Sequence, residues 1–226
     1  MKYKYQLHTH TAPCSKCGKT TPEEIARALL EGGYQGCVLT NHFYGGNTGI
    51  SRDLPWEQFV GAYEKDYIDC KAEAEKYGID IIFGIEEHIS GGREILCYGI
   101  TPKMLYDNPC LKERRLEDWC NILHGYGALI IQAHPFRVRG YITDPGAYPL
   151  GYIDGIEVYN HANLPEANAE AEEFAKENPG IILTSGADTH TADTLCYAGI
   201  EADERIRNGA ELVSLLRSGA YRLIKD

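Results

Sequence analysis

The sequence predicts an α/β fold with parallel strands inside and helices outside. Three observations carry that prediction. Short apolar runs alternate with longer amphipathic ones along the whole chain, most of the short runs are bounded by Gly or turn residues, and His, Glu and Asp collect at the ends of the short runs. The chain has 226 residues, 43 % hydrophobic and 24 % charged, enough to bury a sizeable core. No repeat, low-complexity tract or linker divides it, so one domain over residues 1–226 is expected.

The strands are expected at Tyr3–His10, Gly36–His42, Ile79–Glu86, Glu94–Gly99, Ala128–His134, Gly155–Tyr159 and Ile181–Ser185. Helical stretches lie between them. TTPEEIARALLEGG opens with Thr21 as an N-cap and Pro22 at the first helical position, and stops at Gly32–Gly33. PWEQFVGAYEKDYIDCKAEAEKYG has helical spacing and ends on Gly78, LKERRLEDWCNILHGYG and LPEANAEAEEFAKENPG behave alike, and NGAELVSLLRSG is expected to close the chain. Gly140–Gly151 reads as a long loop.

A formal net charge of -11 disfavours a protein that coats nucleic acid, whose footprint is basic. The polar start MKYKYQLHTH does not resemble a secretory leader, and no apolar run approaches the roughly 20 residues of a membrane span. A reducing cytoplasm with mostly free thiols is therefore expected for the eight cysteines, several of which, such as Cys37 and Cys97, sit in apolar runs as small core residues. Cys14 and Cys17 form a lone C-x-x-C with no second pair to complete a structural zinc site.

The strand ends hold the informative residues. LHTHT places His8 and His10 one residue apart, on one face of a strand, and ADTHT does the same for Asp188 and His190 near the other terminus. Between them the ends supply His42, Glu86 with Glu87 and His88, His134, and Glu157 with Asn160. In an α/β barrel such ends converge on one mouth, and the first and last strands become neighbours. Imidazole and carboxylate together suit zinc, iron or manganese, and Glu86 and Asp188 are the natural bridges between two ions. His124 reads as a surface or packing residue and His161 as a rim-loop residue, while the sixteen tyrosines point to no function. Arg137 and Arg139 follow His134, and Arg137 is the better phosphate-binding choice because a guanidinium fork matches phosphate.

These motifs resemble the polymerase-and-histidinol-phosphatase (PHP) superfamily of metal-dependent phosphoesterases. The matching pieces are HTH (His8, His10), TNH (His42), GIE (Glu86), AHP (His134) and GADTH (Asp188, His190), in that order over nearly the whole chain. The resemblance implies a distorted (β/α)7 TIM-like barrel binding two or three ions of zinc, manganese or iron. By similarity, a first ion takes His8, His10, Glu86 and Asp188, a second shares Glu86 and uses His134, and a third uses His42 and His190. This chain departs from the family pattern in three places. Cys17, or else Cys14, stands near where relatives carry Asp or His, Asn41 replaces an Asp, and Glu94 replaces a His.

The expected reaction is hydrolysis of a small phosphate monoester, such as a nucleotide or sugar phosphate, by a metal-bridging hydroxide. Glu86, Asp188 and His190 are the expected catalytic residues and Arg137 binds substrate. The general acid stays open between His190 and a metal-bound water. The alternatives are an amidohydrolase-like hydrolase of C–N or ester bonds and a non-catalytic barrel that binds a phosphorylated ligand through its metals. A nucleic-acid polymer is a poorer substrate for so acidic a chain, and no membrane partner is expected. Loops 45–54 and 140–151 are expected to choose the substrate.

Overall fold

A computed structural model describes residues 2–226. The chain begins with β1 (Tyr3–Thr9), α1 (Pro22–Glu31), β2 (Gly36–Leu39), α2 (Trp56–Glu75) and β3 (Asp80–Ser90), and these three strands pair in parallel. Thr21 caps α1 as a capping box with Glu24, and Pro22 takes the first turn, where no backbone N–H is needed.

A hairpin then interrupts the βα alternation. Gly91 and Gly92 have φ of 63° and 84°, a pair that side-chain-bearing residues rarely adopt, and they turn the chain straight back into β4 (Arg93–Tyr98). This strand runs antiparallel to β3, with His88 opposite Glu94. Next come α3 (Pro102–Asp107), α4 (Leu116–Gly125), β5 (Leu129–Gln132), β6 (Gly155–Asn160), α5 (Pro165–Glu177) and β7 (Ile182–Gly186). The helix expected from Leu111 starts only at Leu116, because Arg114 sits at φ 56° and breaks it from the preceding 3-10 turn.

All seven expected strands are present, but β4 points against the rest and two further strands follow. These are β8 (Ala198–Ala202) and β9 (Tyr221–Lys225), with α6 (Gly209–Ser218) between them, so NGAELVSLLRSG does not close the chain. The sheet order is β7-β6-β5-β4-β3-β2-β1-β8-β9. β8 occupies the N-terminal half of the β1 edge, pairing Tyr3 with Ala202 and Tyr5 with Ile200. The C-terminal half closes toward β7 instead, where His10 N–H donates to Thr189 O at 3.0 Å and Thr189 N–H to His8 O at 3.2 Å. One strand edge thus serves two partners, which is why the barrel is distorted.

The packing fixes both ends of this barrel. Val38, Ile82, Leu96 and Tyr98 cluster with Leu212, Val213 and Leu216 of α6, at the end of β4 remote from Glu94. Phe43, fully buried, makes edge contacts with Trp56, Phe59, Tyr63 and Trp119, and so anchors the segment that follows β2 beneath its helices. The other end holds the polar residues. Among the described residues no helix is long and apolar enough to cross a membrane.

Candidate metal centre

Side chains alternate along a strand, so His8 and His10 leave β1 on the same face, and Glu86 and His88 leave β3 on one face while Glu87 takes the other. The hairpin reverses the chain at the C-terminal end of β3, which puts Glu94, at the start of β4, beside the same cluster. His134 and Asp188 lie just past β5 and β7 with φ of 29° and 51°. Left-handed backbone at residues with a Cβ costs about 1–3 kcal/mol each, a strain that collects at functional sites.

The cluster is tight. His8 Nε2 lies 3.1 Å from Glu86 Oε1 and 3.5 Å from Asp188 Oδ1, and His10 Nε2 lies 3.3 Å from Glu86 Oε2 and 3.2 Å from Asp188 Oδ1. His134 Nε2 is 3.2 Å from Glu86 Oε1 and 3.5 Å from Glu94 Oε2, and His42 Nδ1 is 2.9 Å from Glu86 Oε2 and 3.7 Å from Glu94 Oε1. Four potential ligand groups share these atoms: His8, His10 and Asp188; His8, Glu86 and His134; His42, Glu86 and Glu94; and His10, His42 and His190.

These contacts fit divalent cations better than hydrogen bonds. His8 Nε2, His10 Nε2, His42 Nδ1 and Glu86 Oε2 are buried and make no hydrogen bond despite their close neighbours. Ligand bonds of about 2.0–2.2 Å set neighbouring ligand atoms about 3.0–3.5 Å apart in octahedral or tetrahedral geometry, the spacing seen here. Glu86, Glu94 and Asp188 also bring three carboxyl groups into one buried site, where only Arg137 is a permanent cation.

Outer partners aim the ligands. A carboxylate or carbonyl oxygen can only accept, so His8 Nδ1 donates to Glu157 Oε1 at 3.0 Å and His190 Nδ1 donates to Asp188 O at 2.8 Å. Each contact leaves Nε2 with its lone pair turned away from that partner. His10 Nδ1 meets Ser15 Oγ at 3.1 Å, and Ser15 in turn donates to Asn41 Oδ1 at 2.9 Å. Such second partners fix the ring and raise its basicity as a ligand. Gly186 allows the first of them, since a Cβ there would meet Glu157 Oε1 at 2.2 Å and His8 Cβ at 2.6 Å.

Electrostatics follow from the crowding. Burial alone lowers an imidazole, yet Glu157, Glu86 and Asp188 outweigh it and hold His8 well above the usual histidine value. His10 goes the other way, down to about 3, through burial and the neighbouring His42. Burial pushes Glu86 up, but His8 and His42 outweigh it and hold its carboxyl well below the usual range; Arg137 and His8 do the same for Asp188. Glu94 is raised, by burial and then by Glu86. Without a cation, protons must balance this charge.

The departures from the motif pattern find distinct places. Asn41 accepts from Thr11 N–H and donates to Thr11 Oγ1 and Asp66 Oδ2, so it braces the loop after β1. Cys14 is buried in the apolar cluster with Phe43, whereas Cys17 lines the cavity beside His42, Glu86 and His190. Burial raises the Cys17 thiol, but hydrogen bonds with His190 and His42 outweigh burial and bring it down to about 6. His88 also lines the cavity, with its Nε2 accepting from Gly92 N–H.

Arg137 enters this cavity fixed on three sides. It donates from Nε to Asn163 and from Nη2 to Asn160, both at 2.8 Å, and Nη1 meets Asp188 Oδ2 at 2.6 Å. The cavity measures about 450 Å³ and includes Glu86, Glu94, His134, Tyr141 and His190. Arg139, His124 and His161 stay outside it: Arg139 donates to backbone carbonyls, His124 pairs with Asp154, and His161 stacks on Tyr197. Sequence reasoning left Glu157, Ser15, Asn160 and Asn163 without roles. Glu157 and Asn160 had a visible signal, their place in DGIEVYN beside the other strand ends.

A barrel whose strand ends gather five histidines and several carboxylates defines a candidate metal-binding centre. Residues 6–213 match the PHP domain, and the chain belongs to this family. None of the curated proteins matches it. Among solved structures, it is similar to a two-domain protein from Bacteroides vulgatus ATCC 8482 containing a predicted PHP-like metal-dependent phosphoesterase. The identity is 18 % and the TM-score 0.69, over 100 % of this chain and 65 % of that one, so the chain spans just under two thirds of that protein. An amidohydrolase from Chromobacterium violaceum with bound sulfate shares 16 % identity and a TM-score of 0.60, over 94 % of this chain and 96 % of that one. The lesion-specific endonuclease PfuEndoQ from Pyrococcus furiosus shares 15 % and 0.62, over 99 % and 58 %. At these identities the likeness is one of fold.

Proposed function

We propose that residues 1–226 form one catalytic domain that hydrolyses a small phosphate monoester, such as a nucleotide or sugar phosphate, in the cytoplasm. The observation that carries this reading is the convergence of unpartnered ligand atoms on His8, His10, His42 and Glu86 beneath a cavity that also holds Arg137. Eight unpaired cysteines suit a reducing compartment.

In this reading His8, His10, Glu86 and Asp188 hold a first ion, Glu86 and His134 a second with Glu94, and His42 and His190 a third. Zinc, manganese or iron held there would supply an acidified water and positive charge toward a phosphoryl group. Glu86 and Asp188 would each contribute carboxylate ligands to these ions. Five N–H donors belong to a guanidinium, and Arg137 uses three of them on Asn163, Asn160 and Asp188. The remaining donors orient a phosphoryl oxygen and stabilise charge as the ester bond breaks. Because the guanidinium is already held, little side-chain freedom is lost on binding.

A cavity of about 450 Å³ is the size of a small-ligand pocket, and the charge of -11 repels a polyanion at long range. Glu86 at the bridging position, where amidohydrolase-like barrels often use a modified lysine, favours phosphate over amide substrates. The test is hydrolysis of p-nitrophenyl phosphate by metal-stripped protein before and after manganese or zinc is added, followed by a panel of nucleotides, sugar phosphates and oligonucleotides. Metal-dependent turnover of monoesters is expected. Protein that takes up metal but cleaves only oligonucleotides or amides overturns the monoester reading.

A further inference from the structure

Cys17 Sγ lies 3.1 Å from His190 Nε2 at the rim of the cluster of His, Glu and Asp side chains. The opposite nitrogen of that ring, Nδ1, donates to the Asp188 carbonyl, so Nε2 presents a lone pair to the sulfur. Two electron-pair donors face each other, and something positive must lie between them. It is either the thiol proton or a cation. Cys17 also contacts the His42 ring, and His10, His42 and His190 can each bring a ligand atom within 4.8 Å of the others. His42 is only 8 % exposed and His10 is fully buried, and each keeps a ring nitrogen without a hydrogen-bond partner.

We infer that Cys17 is a thiolate ligand which, with His42 and His190, makes the third ion site of this protein selective for zinc or another thiophilic ion. This rests on reading the cluster as a metal centre. Bonds of about 2.3 Å to sulfur and about 2.0–2.1 Å to imidazole nitrogen separate two ligand atoms by about 3.1–3.6 Å, and the Cys17–His190 contact falls at the lower end of that range. The thiol loses its proton to solvent as the ion binds. Soft sulfur favours zinc, cobalt or iron over magnesium or manganese, whereas the carboxylate-rich sites around Glu86 and Glu94 tolerate harder ions. One protein would then hold ions of two preferences, sorted by a single residue. Cys14, three residues earlier in the sequence and buried in the apolar cluster, takes no part.

The test uses the intact chain, stripped with a chelator and titrated with cobalt(II). Visible cobalt bands and ion stoichiometry report on the whole cluster, and a near-ultraviolet sulfur-to-cobalt charge-transfer band reports on Cys17. The wild type is expected to show both. In Cys17→Ser the charge-transfer band disappears and the last ion binds more than about 10-fold more weakly, while the other ions remain. Cys17→Asp, which restores a ligand of harder type, regains the ion without the band and shifts preference toward manganese. Iodoacetamide labelling of Cys17 gives a second readout, fast in stripped protein and blocked by zinc. Visible bands without a charge-transfer band, or a band that survives in Cys17→Ser, overturns the inference and leaves the metal centre standing. Failure to bind cobalt at all removes the metal-centre reading as well.

Discussion

His8 donates Nδ1–H to Glu157 at 3.0 Å and turns Nε2 to Glu86 at 3.1 Å, so one carboxyl group outside the ligand cluster sets the direction of a ligand inside it. Glu157 also accepts from His134 N–H at 3.1 Å. Glu157→Gln is therefore expected to lower metal affinity about 10–100-fold with the barrel still folded. Isothermal titration of zinc into stripped protein measures it, and unchanged affinity would show that the ring is held by packing alone.

Glu86 touches His8, His10, His42 and His134 with its two oxygens. Glu86→Gln keeps the shape and removes the charge that joins the sites. Turnover is expected to fall to background and bound metal to drop, with an unchanged circular dichroism spectrum. Retained phosphatase activity would sink the shared-carboxylate arrangement.

Arg137→Lys keeps a positive charge but loses the fork that spans Asn160, Asn163 and Asp188. A decrease of about 10²–10³-fold in kcat is expected, with the metal content near that of the wild type. A change in metal content alone would assign Arg137 to holding Asp188 and not to the phosphoryl group.

Chelation removes the cations that offset the buried carboxylates. At a metal concentration about 100 times Kd, binding adds about 2.7 kcal/mol, which corresponds to roughly 5–10 °C in Tm for a chain of this size. Thermal scans with EDTA and then with excess zinc are expected to show that loss and its recovery.

Glu87 leaves β3 on the face away from the cluster and accepts from Gly45 N–H at 2.6 Å. Burial pushes its carboxyl from 4.5 up to about 8, against the lowering pull of that N–H. The folded state therefore holds a proton that the unfolded state has released between these two values. Its contribution to stability is complete below the lower value and lost as pH rises through the upper one. In Glu87→Gln, which has no such proton to lose, the denaturation midpoint should fall less between pH 5 and 8 than in the wild type. Equal slopes in the two proteins would show that Glu87 is ionised when folded.

Much of the site was legible because its residues belong to strands. Alternation alone puts His8 with His10 on one face, and ordered strand ends suffice to bring His42, Glu86, His134 and Asp188 to one mouth. The roles of Asn41, Ser15 and Asn163 were not legible, since a hydrogen-bonding side chain in a loop carries no periodicity that shows its partner. Glu94 was ambiguous for a different reason: its strand was expected to run parallel, and the Gly91–Gly92 hairpin reverses it.

The strand–helix order and the candidate ligand residues at the strand ends are legible in the sequence by itself, because apolar periodicity and strand-end chemistry are local properties of the chain. Tertiary structure alone decided the rest. It closed β1 against both β8 and the segment after β7, brought Cys17 rather than Cys14 to His190, and tied Arg137 to Asp188. Each of these depends on contacts between residues far apart in sequence, whose distances are set by packing and register and leave no trace in local composition.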